Sequence, residues 1–152
     1  MRYNSHPIES LLAHREPMIL IDKLIAHEED TAECSVEITS DSLFLQAQGV
    51  PSYIGIEYMA QAIAAFAGAK ALARGEAVEV GFLLGSRKYQ TSCPFFKLGV
   101  QLTIMVKELH REESGLGVFE CQILEQERLL ASAKVNVFQP KDPESFIRST
   151  DE

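Results

Sequence analysis

The stretch "GVPSYIGIEYMAQAIAAFAGAKALA", residues 49–73, is long, apolar and rich in alanine. It predicts a helix that runs from about Ile54 to Ala73 and ends near Gly75, since glycine favours the position just past a helix C-terminus. The stretch carries one carboxylate, Glu57, and one nearby amide, Gln61. A charge that is buried without a partner costs free energy. The presence of Glu57 on such a segment therefore needs an explanation.

The same stretch is long enough to suggest a membrane span. Alanine and glycine dominate it, however, and such small side chains gain little free energy on transfer into lipid. Glu57, Gln61 and Lys70 interrupt it as well. We therefore interpret it as a helix buried inside a soluble protein, and we expect no membrane partner.

The flanking sequence predicts an α+β fold in which an antiparallel sheet wraps around one long central helix. Apolar and polar residues alternate in several segments, as in strands with one wet face. The predicted strands cover residues 18–30, 31–39, 81–90, 99–112, 117–127 and 128–140, with a short helix at 5–13 and a loop at 40–53. We expect residues 1–140 to form a single domain and residues 141–152 to form a polar tail.

Charge and cysteine content narrow the class of protein. The net charge of −8 argues against a nucleic-acid groove. The three cysteines, Cys34, Cys93 and Cys121, are too far apart for a CxxC pair, and the first ten residues lack the apolar segment of a signal peptide. These features predict a cytoplasmic protein with reduced thiols. The sequence has no metal-ligand cluster and no phosphate-binding loop, so we expect no cofactor.

Three segments together resemble a known family. "LLAHREPMILIDKL" (11–24), "IEYMAQA" (56–62) and "GFLLGSRKYQTSCPFFKLGVQL" (81–102) are similar, in this order and spacing, to the hotdog-fold 3-hydroxyacyl-acyl-carrier-protein dehydratases. The resemblance covers about residues 8–138. The sequence around "IEYMAQAIAA" and "GFLLG" resembles one branch of this family in particular, the branch associated with aryl-polyene pigment biosynthesis.

The resemblance implies a hotdog fold, a fatty-acid or aryl-polyene type of biosynthesis and an acyl-carrier-protein thioester as substrate. It also implies a homodimer or a heterodimer with another hotdog subunit, and in many relatives a hexamer. In the family, a loop histidine removes the α-proton of the thioester and a helix glutamate of the other subunit protonates the leaving hydroxyl. An acidic carrier would need a local basic patch on this acidic chain, and Arg87, Lys88 and Lys97 are its candidates.

Glu57 matches the family's catalytic acid. The alternative is a surface carboxylate that faces the helix dipole. Gln61 lies one turn further along the same face, either near the substrate or paired with main chain. We also expect substrate contacts from Ser52, Gly55, His14, Phe82 and Leu83. Ser52 can alternatively cap the helix, and His14 can alternatively be a turn residue bonded to main chain. For Phe82 and Leu83 the alternative is a place in the hydrophobic core.

The chain departs from the family in the loop before the helix. Residues 44–51, "FLQAQGVP", contain no histidine, whereas the family has its base there. An amide such as Gln46 or Gln48 cannot serve as a base at neutral pH. Three functions therefore stay open: a dehydratase, a catalytically reduced subunit that partners an active dehydratase, and an acyl thioesterase.

Overall fold

The computed structural model describes residues 2–13, 18–78 and 81–139. They form one antiparallel sheet packed around one long helix, α2 (Gly55–Ala73), with a short helix, α1 (Ile8–Leu11), beside it. The strands are β1 (Arg2–Tyr3), β2 (Lys23–His27), β3 (Thr31–Glu37), β4 (Val50–Pro51), β5 (Phe82–Thr91), β6 (Phe95–Phe96), β7 (Gln101–Arg111), β8 (Leu116–Glu125) and β9 (Arg128–Phe138).

Seven strands form the main sheet, in the order β1-β2-β3-β7-β8-β9-β5, and β4 pairs with β6 in a separate ribbon. All pairs in the sheet are antiparallel. Strands β7, β8 and β9 form the expected meander. Within the described chain, β5 is a ten-residue edge strand that pairs on one side with β9. This arrangement confirms the predicted hotdog architecture.

Alternation along the strands decides which side chains meet the helix. On β3, for example, Ala32, Cys34 and Val36 are buried, and on β8 Phe119, Cys121 and Ile123 are buried. Alanine and glycine on α2 let the helix approach its neighbours closely. At Gly68, an added Cβ would collide with the carbonyl oxygen of Leu11 on α1. The small residues of α2 are therefore a packing requirement.

The C-terminus of α2 is built as predicted. Gly75 has φ of +73°, which glycine adopts without a steric cost. Its N–H donates to the carbonyl of Leu72 at 3.0 Å, and the N–H of Glu76 donates to the carbonyl of Ala71 at 2.8 Å. This pair of bonds is the Schellman motif, and it satisfies carbonyls that the helix end leaves free.

Two predicted elements are shorter than expected. The helix at 5–13 covers only Ile8–Leu11, and the strand at 18–30 covers only Lys23–His27. The strand begins late because the main chain of Met18 and Leu20 is hydrogen-bonded to the side chain of Gln61 on α2. The predicted loop at 40–53 contains strand β4. The tail at 141–152 lies outside the described residues.

None of the described helices combines the length and the apolar character that a bilayer crossing requires.

Candidate active site

A crevice of about 90 Å³ lies along one face of α2. The helix supplies one side of it, and the other side is made by the start of β5, the end of β9 and the turn between β7 and β8. Its lining residues are Glu57, Ala60, Gln61, Ile63, Ala64, Ala67, Gly81, Leu83, Arg111, Gly115, Val137, Phe138 and Gln139. Most of them are apolar, so the crevice suits a hydrocarbon chain.

Glu57 is the first helix residue to line the crevice, in the first turn of α2. Its side chain is exposed in the single chain, whereas its neighbours Tyr58 and Met59 are buried. Exposure removes the cost of burying a charge. A carboxylate that is free of the core and faces an apolar cleft is in a position to exchange a proton with a bound ligand. The catalytic role of Glu57 stays a prediction.

Gln61 is buried, and its amide is bonded to main chain. Its Oε1 accepts from the N–H of Leu20 at 2.7 Å, and its Nε2 donates to the carbonyl of Met18 at 2.6 Å. These bonds agree with the alternative interpretation, in which the amide of Gln61 pairs with the main chain. Gln61 also lines the crevice, so contact with a substrate stays a prediction.

Ser52 does not cap the helix with its side chain, as we had predicted it could. The chain enters α2 through a 3-10 turn, Ser52–Ile54, so Ser52 already lies inside a helical turn. Its carbonyl accepts the N–H of Gly55 and also the hydroxyl of Tyr89. Ser52 and Gly55 are buried and do not line the crevice. Their role in substrate binding remains untested.

Leu83 lines the crevice opposite the helix, and its contact with substrate stays a prediction. The main chain of Phe82 begins β5 and pairs with Phe138, but the side chain of Phe82 lies outside what the structure describes. His14 also lies outside the described residues, so its expected contact with substrate stays a prediction.

The residues at the end of β9 and in the β7–β8 turn were missed by sequence reasoning. Leu83 pairs with Val137 where β5 bonds to β9, so two segments that are distant in sequence form one wall of the crevice. Arg111 supplies a cation at this side, and its Nε lies 3.3 Å from Oε1 of Glu108. The alternation of apolar residues in β9 was visible in the sequence, but its pairing with β5 was not.

No histidine of the described chain lines the crevice. His6 and His110 are exposed, and His27 lies against Phe66 with its ring centroid 6.0 Å from that of the phenyl ring. Burial lowers the pKa of His27, and the charges of Arg2 and Lys70 lower it further. A hydrogen bond with the main chain of Glu28 acts in the opposite direction and raises this pKa.

In the described ranges, no group of three or more His, Cys, Asp or Glu residues is placed to hold a metal ion.

Comparison with known proteins identifies the family. A family model described as ApeP dehydratase matches residues 6–148. The chain belongs to the ApeP-like dehydratase family. A chain of the dehydratase heterocomplex ApeI:P from Xenorhabdus doucetiae is 28% identical and superposes with a TM-score of 0.90, over 98% of this chain and 100% of that one. This match spans the whole hotdog fold described above.

A second relative, matched over a shorter part of the chain, carries the dehydratase name. The 3-hydroxyacyl-acyl-carrier-protein dehydratase FabZ of Pseudothermotoga lettingae is 32% identical over 77 residues, which cover 49% of this ApeP-like chain. The match spans 54%, about half, of the FabZ length.

The fold is shared with proteins of other names. A hypothetical thioesterase from Streptococcus pneumoniae TIGR4, solved with coenzyme A, is 18% identical and has a TM-score of 0.57, over 77% of this chain and 84% of that one. At this identity the likeness concerns the fold alone.

Proposed function

We propose that this ApeP-like chain is a dehydratase subunit that acts on 3-hydroxyacyl thioesters and supplies the catalytic acid, while a second hotdog subunit supplies the base. The observation that carries the proposal is the position of Glu57. It lines a mostly apolar crevice in a member of a dehydratase family. Residues 44–51, which precede the helix, lack the histidine that serves as the base in the resembled family.

Dehydration requires two proton transfers, and in this proposal each subunit carries out one of them. A base takes the proton from the carbon next to the thioester carbonyl, and the bond between the next carbon and its hydroxyl breaks. Glu57, in its protonated form, gives its proton to the leaving hydroxyl, so that water and a carbon–carbon double bond form. Free N–H groups at the start of a helix favour the negative charge that develops on the carbonyl oxygen. In this chain the helix terminus begins with the 3-10 turn Ser52–Ile54, and Glu57 follows in the first turn of α2.

A second copy of this chain would not complete the usual site. It would add another Glu57, but it would repeat the loop at 44–51 without a histidine. A different hotdog subunit that retains the loop histidine resolves this deficit. The similarity to a chain of the ApeI:P heterocomplex supports this choice. His14 is the alternative base within the chain.

The free edge of the sheet supports such a pairing. Strand β5 presents an unpaired side over ten residues in the described chain, and Leu84 on it is 57% exposed. An exposed long edge strand is a template for pairing with another chain. A partner at this edge would stand beside Leu83, which lines the crevice, and would enclose Glu57.

An acyl carrier protein is the proposed donor of the thioester. The chain carries a net charge of −8, so an acidic carrier needs a local positive surface. Arg87, Lys88 and Lys97 are all exposed and are the proposed contacts for such a carrier. The three cysteines are free thiols, which supports a reducing compartment such as the cytoplasm.

An acyl thioesterase is the second candidate. A carboxylate in an apolar crevice can activate a water molecule without a histidine, and Glu57 has that position. Hydrolysis would release a free acid, whereas dehydration leaves the acyl group on its carrier. The products therefore distinguish the two reactions.

The test uses mass spectrometry of a 3-hydroxyacyl carrier protein incubated with the chain alone, with a hotdog dehydratase subunit that carries the loop histidine, and with both. We expect loss of one water only, or far faster, with both subunits. Glu57→Gln in this chain should lower the rate at least about 100-fold, the usual contribution of a general acid. Glu76→Gln, at an exposed glutamate beyond the helix, is the matched control.

Each other outcome decides against part of the proposal. Full turnover by this chain alone shows that the partner's base is unnecessary, and its loss in His14→Asn would then assign the base to His14. Release of free acid would establish the thioesterase. Unchanged rates in Glu57→Gln would remove Glu57 from the mechanism.

A further inference from the structure

Strand β5 contains a bulge next to its partner β9. Arg87 pairs with Lys134 and Gln90 pairs with Ser132, so two residues of β5, Lys88 and Tyr89, oppose a single residue of β9. Lys88 has φ of +56°, a left-handed conformation that is strained for a residue with a side chain. Bulges are frequent beside active sites, where they redirect a side chain. Here the residue that follows the strained lysine is Tyr89.

Tyr89 reaches the start of α2. Its side chain packs against the core, and its hydroxyl donates a hydrogen bond to the carbonyl of Ser52 in the 3-10 turn. Burial raises the pKa of this hydroxyl, and the neighbouring Cys93 and Tyr58 raise it further. The phenol therefore keeps its proton and stays a donor through the neutral range.

Ser52 is the point at which several bonds meet. Its N–H donates to the carbonyl of Pro94 at 2.9 Å, and its carbonyl accepts both the hydroxyl of Tyr89 and the N–H of Gly55. Strand β5, through Tyr89, and the segment that follows it, through Pro94, thus hold the main chain of Ser52 on both sides. The next turn of the chain carries Glu57.

Gly55 makes room for this contact. A Cβ on Gly55 would collide with the hydroxyl of Tyr89 and would lie 2.9 Å from Cδ1 of Ile123. A larger residue would push the tyrosine away from Ser52. The bulge, the tyrosine and the glycine therefore form one arrangement that joins the edge strand to the first turn of the helix.

We propose that Tyr89 is a positioning residue, which holds the first turn of α2 in place through Ser52 and so fixes the place of Glu57. The catalytic half of this inference rests on the proposed function of Glu57. The structural half, that Tyr89 holds the turn, does not. Because Tyr89 lies on the free edge strand, the same contact links the surface proposed for the partner to the acid.

The test compares Tyr89→Phe with wild type, and Tyr3→Phe serves as the control because Tyr3 is 79% exposed at the opposite edge of the sheet. Amide hydrogen exchange at residues 52–57 is the first measurement. Tyr89→Phe should speed exchange there about fivefold, the factor that corresponds to one lost hydrogen bond, while exchange in β7 and β8 stays unchanged. Tyr3→Phe should alter neither.

Steady-state dehydration, measured with the partner subunit, is the second measurement. A displaced acid should lower kcat about tenfold and leave KM within twofold, because substrate binding does not require the hydroxyl. Gly55→Ala is a second variant, since it keeps the hydroxyl but displaces it. It should give the same pattern of faster local exchange and lower kcat, and it decides the question if Tyr89→Phe does not fold.

The outcomes separate the two proposals. Unchanged exchange at residues 52–57 in a folded Tyr89→Phe overturns the inference. Faster exchange with unchanged kcat shows that the turn does not position the acid, which also overturns it. If wild type dehydrates nothing with any partner, the proposed function fails, and the exchange data alone decide whether Tyr89 holds the turn.

Discussion

Glu57 and Gln61 lie one turn apart on α2 and line the same crevice, yet Gln61 is buried and Glu57 is exposed. The difference follows from their partners. Gln61 is surrounded by the main chain of residues 18–20 and bonds to it at both ends of its amide. Glu57 lines the crevice with an exposed side chain. One position thus holds the fold together, and the other is available for chemistry.

Replacement of Gln61 by alanine should lower the free energy of unfolding by about 2 kcal/mol, because it leaves the N–H of Leu20 and the carbonyl of Met18 without their partner. Urea denaturation would measure this change. Gln90→Ala is the control, since Gln90 is exposed on β5 and should change the stability by less than about 0.5 kcal/mol. Equal stability of Gln61→Ala and wild type would contradict the structural role.

Replacement of Gly68 by alanine should destabilise the protein by about 1–3 kcal/mol despite the better helix propensity of alanine. The reason is that the new Cβ would meet the main-chain carbonyl of Leu11, which cannot rotate away. The midpoint of thermal unfolding would show the loss. In Gly81→Ala the nearest atom is the carbonyl oxygen of Phe138 at 3.9 Å, so this control should unfold as wild type does.

The protein should lose stability in alkaline solution. Burial raises the pKa of the Cys34 thiol from 9.0 to about 12, with a smaller contribution from Glu33. Below pH 9 the thiol is neutral in both the folded and the unfolded chain, so its contribution is complete. Between pH 9 and 12 only the unfolded chain ionises, and stability falls by up to about 1.4 kcal/mol per pH unit for this group.

Cys34→Ala provides the measurement for this pH dependence. Below pH 9 the variant should be less stable than wild type because it leaves a cavity, but its stability should decline less steeply above pH 9 than that of wild type. Urea titrations under reducing conditions at several pH values would compare the slopes. Parallel slopes would show that Cys34 is not the source. Burial also raises the pKa of Tyr58 to about 12, so part of the decline in stability should remain in both proteins.

Leu84→Lys should prevent assembly with a partner without unfolding the chain. Leu84 is 57% exposed on the edge strand, so a charge there costs little in the single chain but would be buried by a partner. Size-exclusion chromatography with light scattering would show the change. Leu109→Lys, on the inner strand β7, is a control because Leu109 is 44% exposed away from the edge. An intact complex in Leu84→Lys would place the interface elsewhere.

The sequence was sufficient for the elements whose signals are local. The helix of α2 begins and ends within one residue of its predicted limits, because its composition and Gly75 lie within the segment itself. The strands of the meander followed from alternation for the same reason. Ser52 failed as a cap because a 3-10 turn precedes the helix, and that turn is held by Pro94 and Tyr89, which are distant in sequence.

The crevice itself depends on pairings that no local pattern contains. Leu83 was expected to line the site, but Val137 and Arg111 were not, because their places follow from the order of strands in the sheet. The short ribbon of Val50 with Phe96 was missed for a similar reason: it contains a proline and only two residues per strand, too few for an alternating pattern.

The unpaired side of β5 also bears on how the chain survives in a cell. Among the described residues, no strand pairs with this side of β5, so its main-chain groups can bond to an extended peptide, including another molecule of the same protein. We therefore expect overproduction of this chain without the proposed partner subunit to favour aggregation. Synthesis of the two chains in equal amounts should reduce that aggregation.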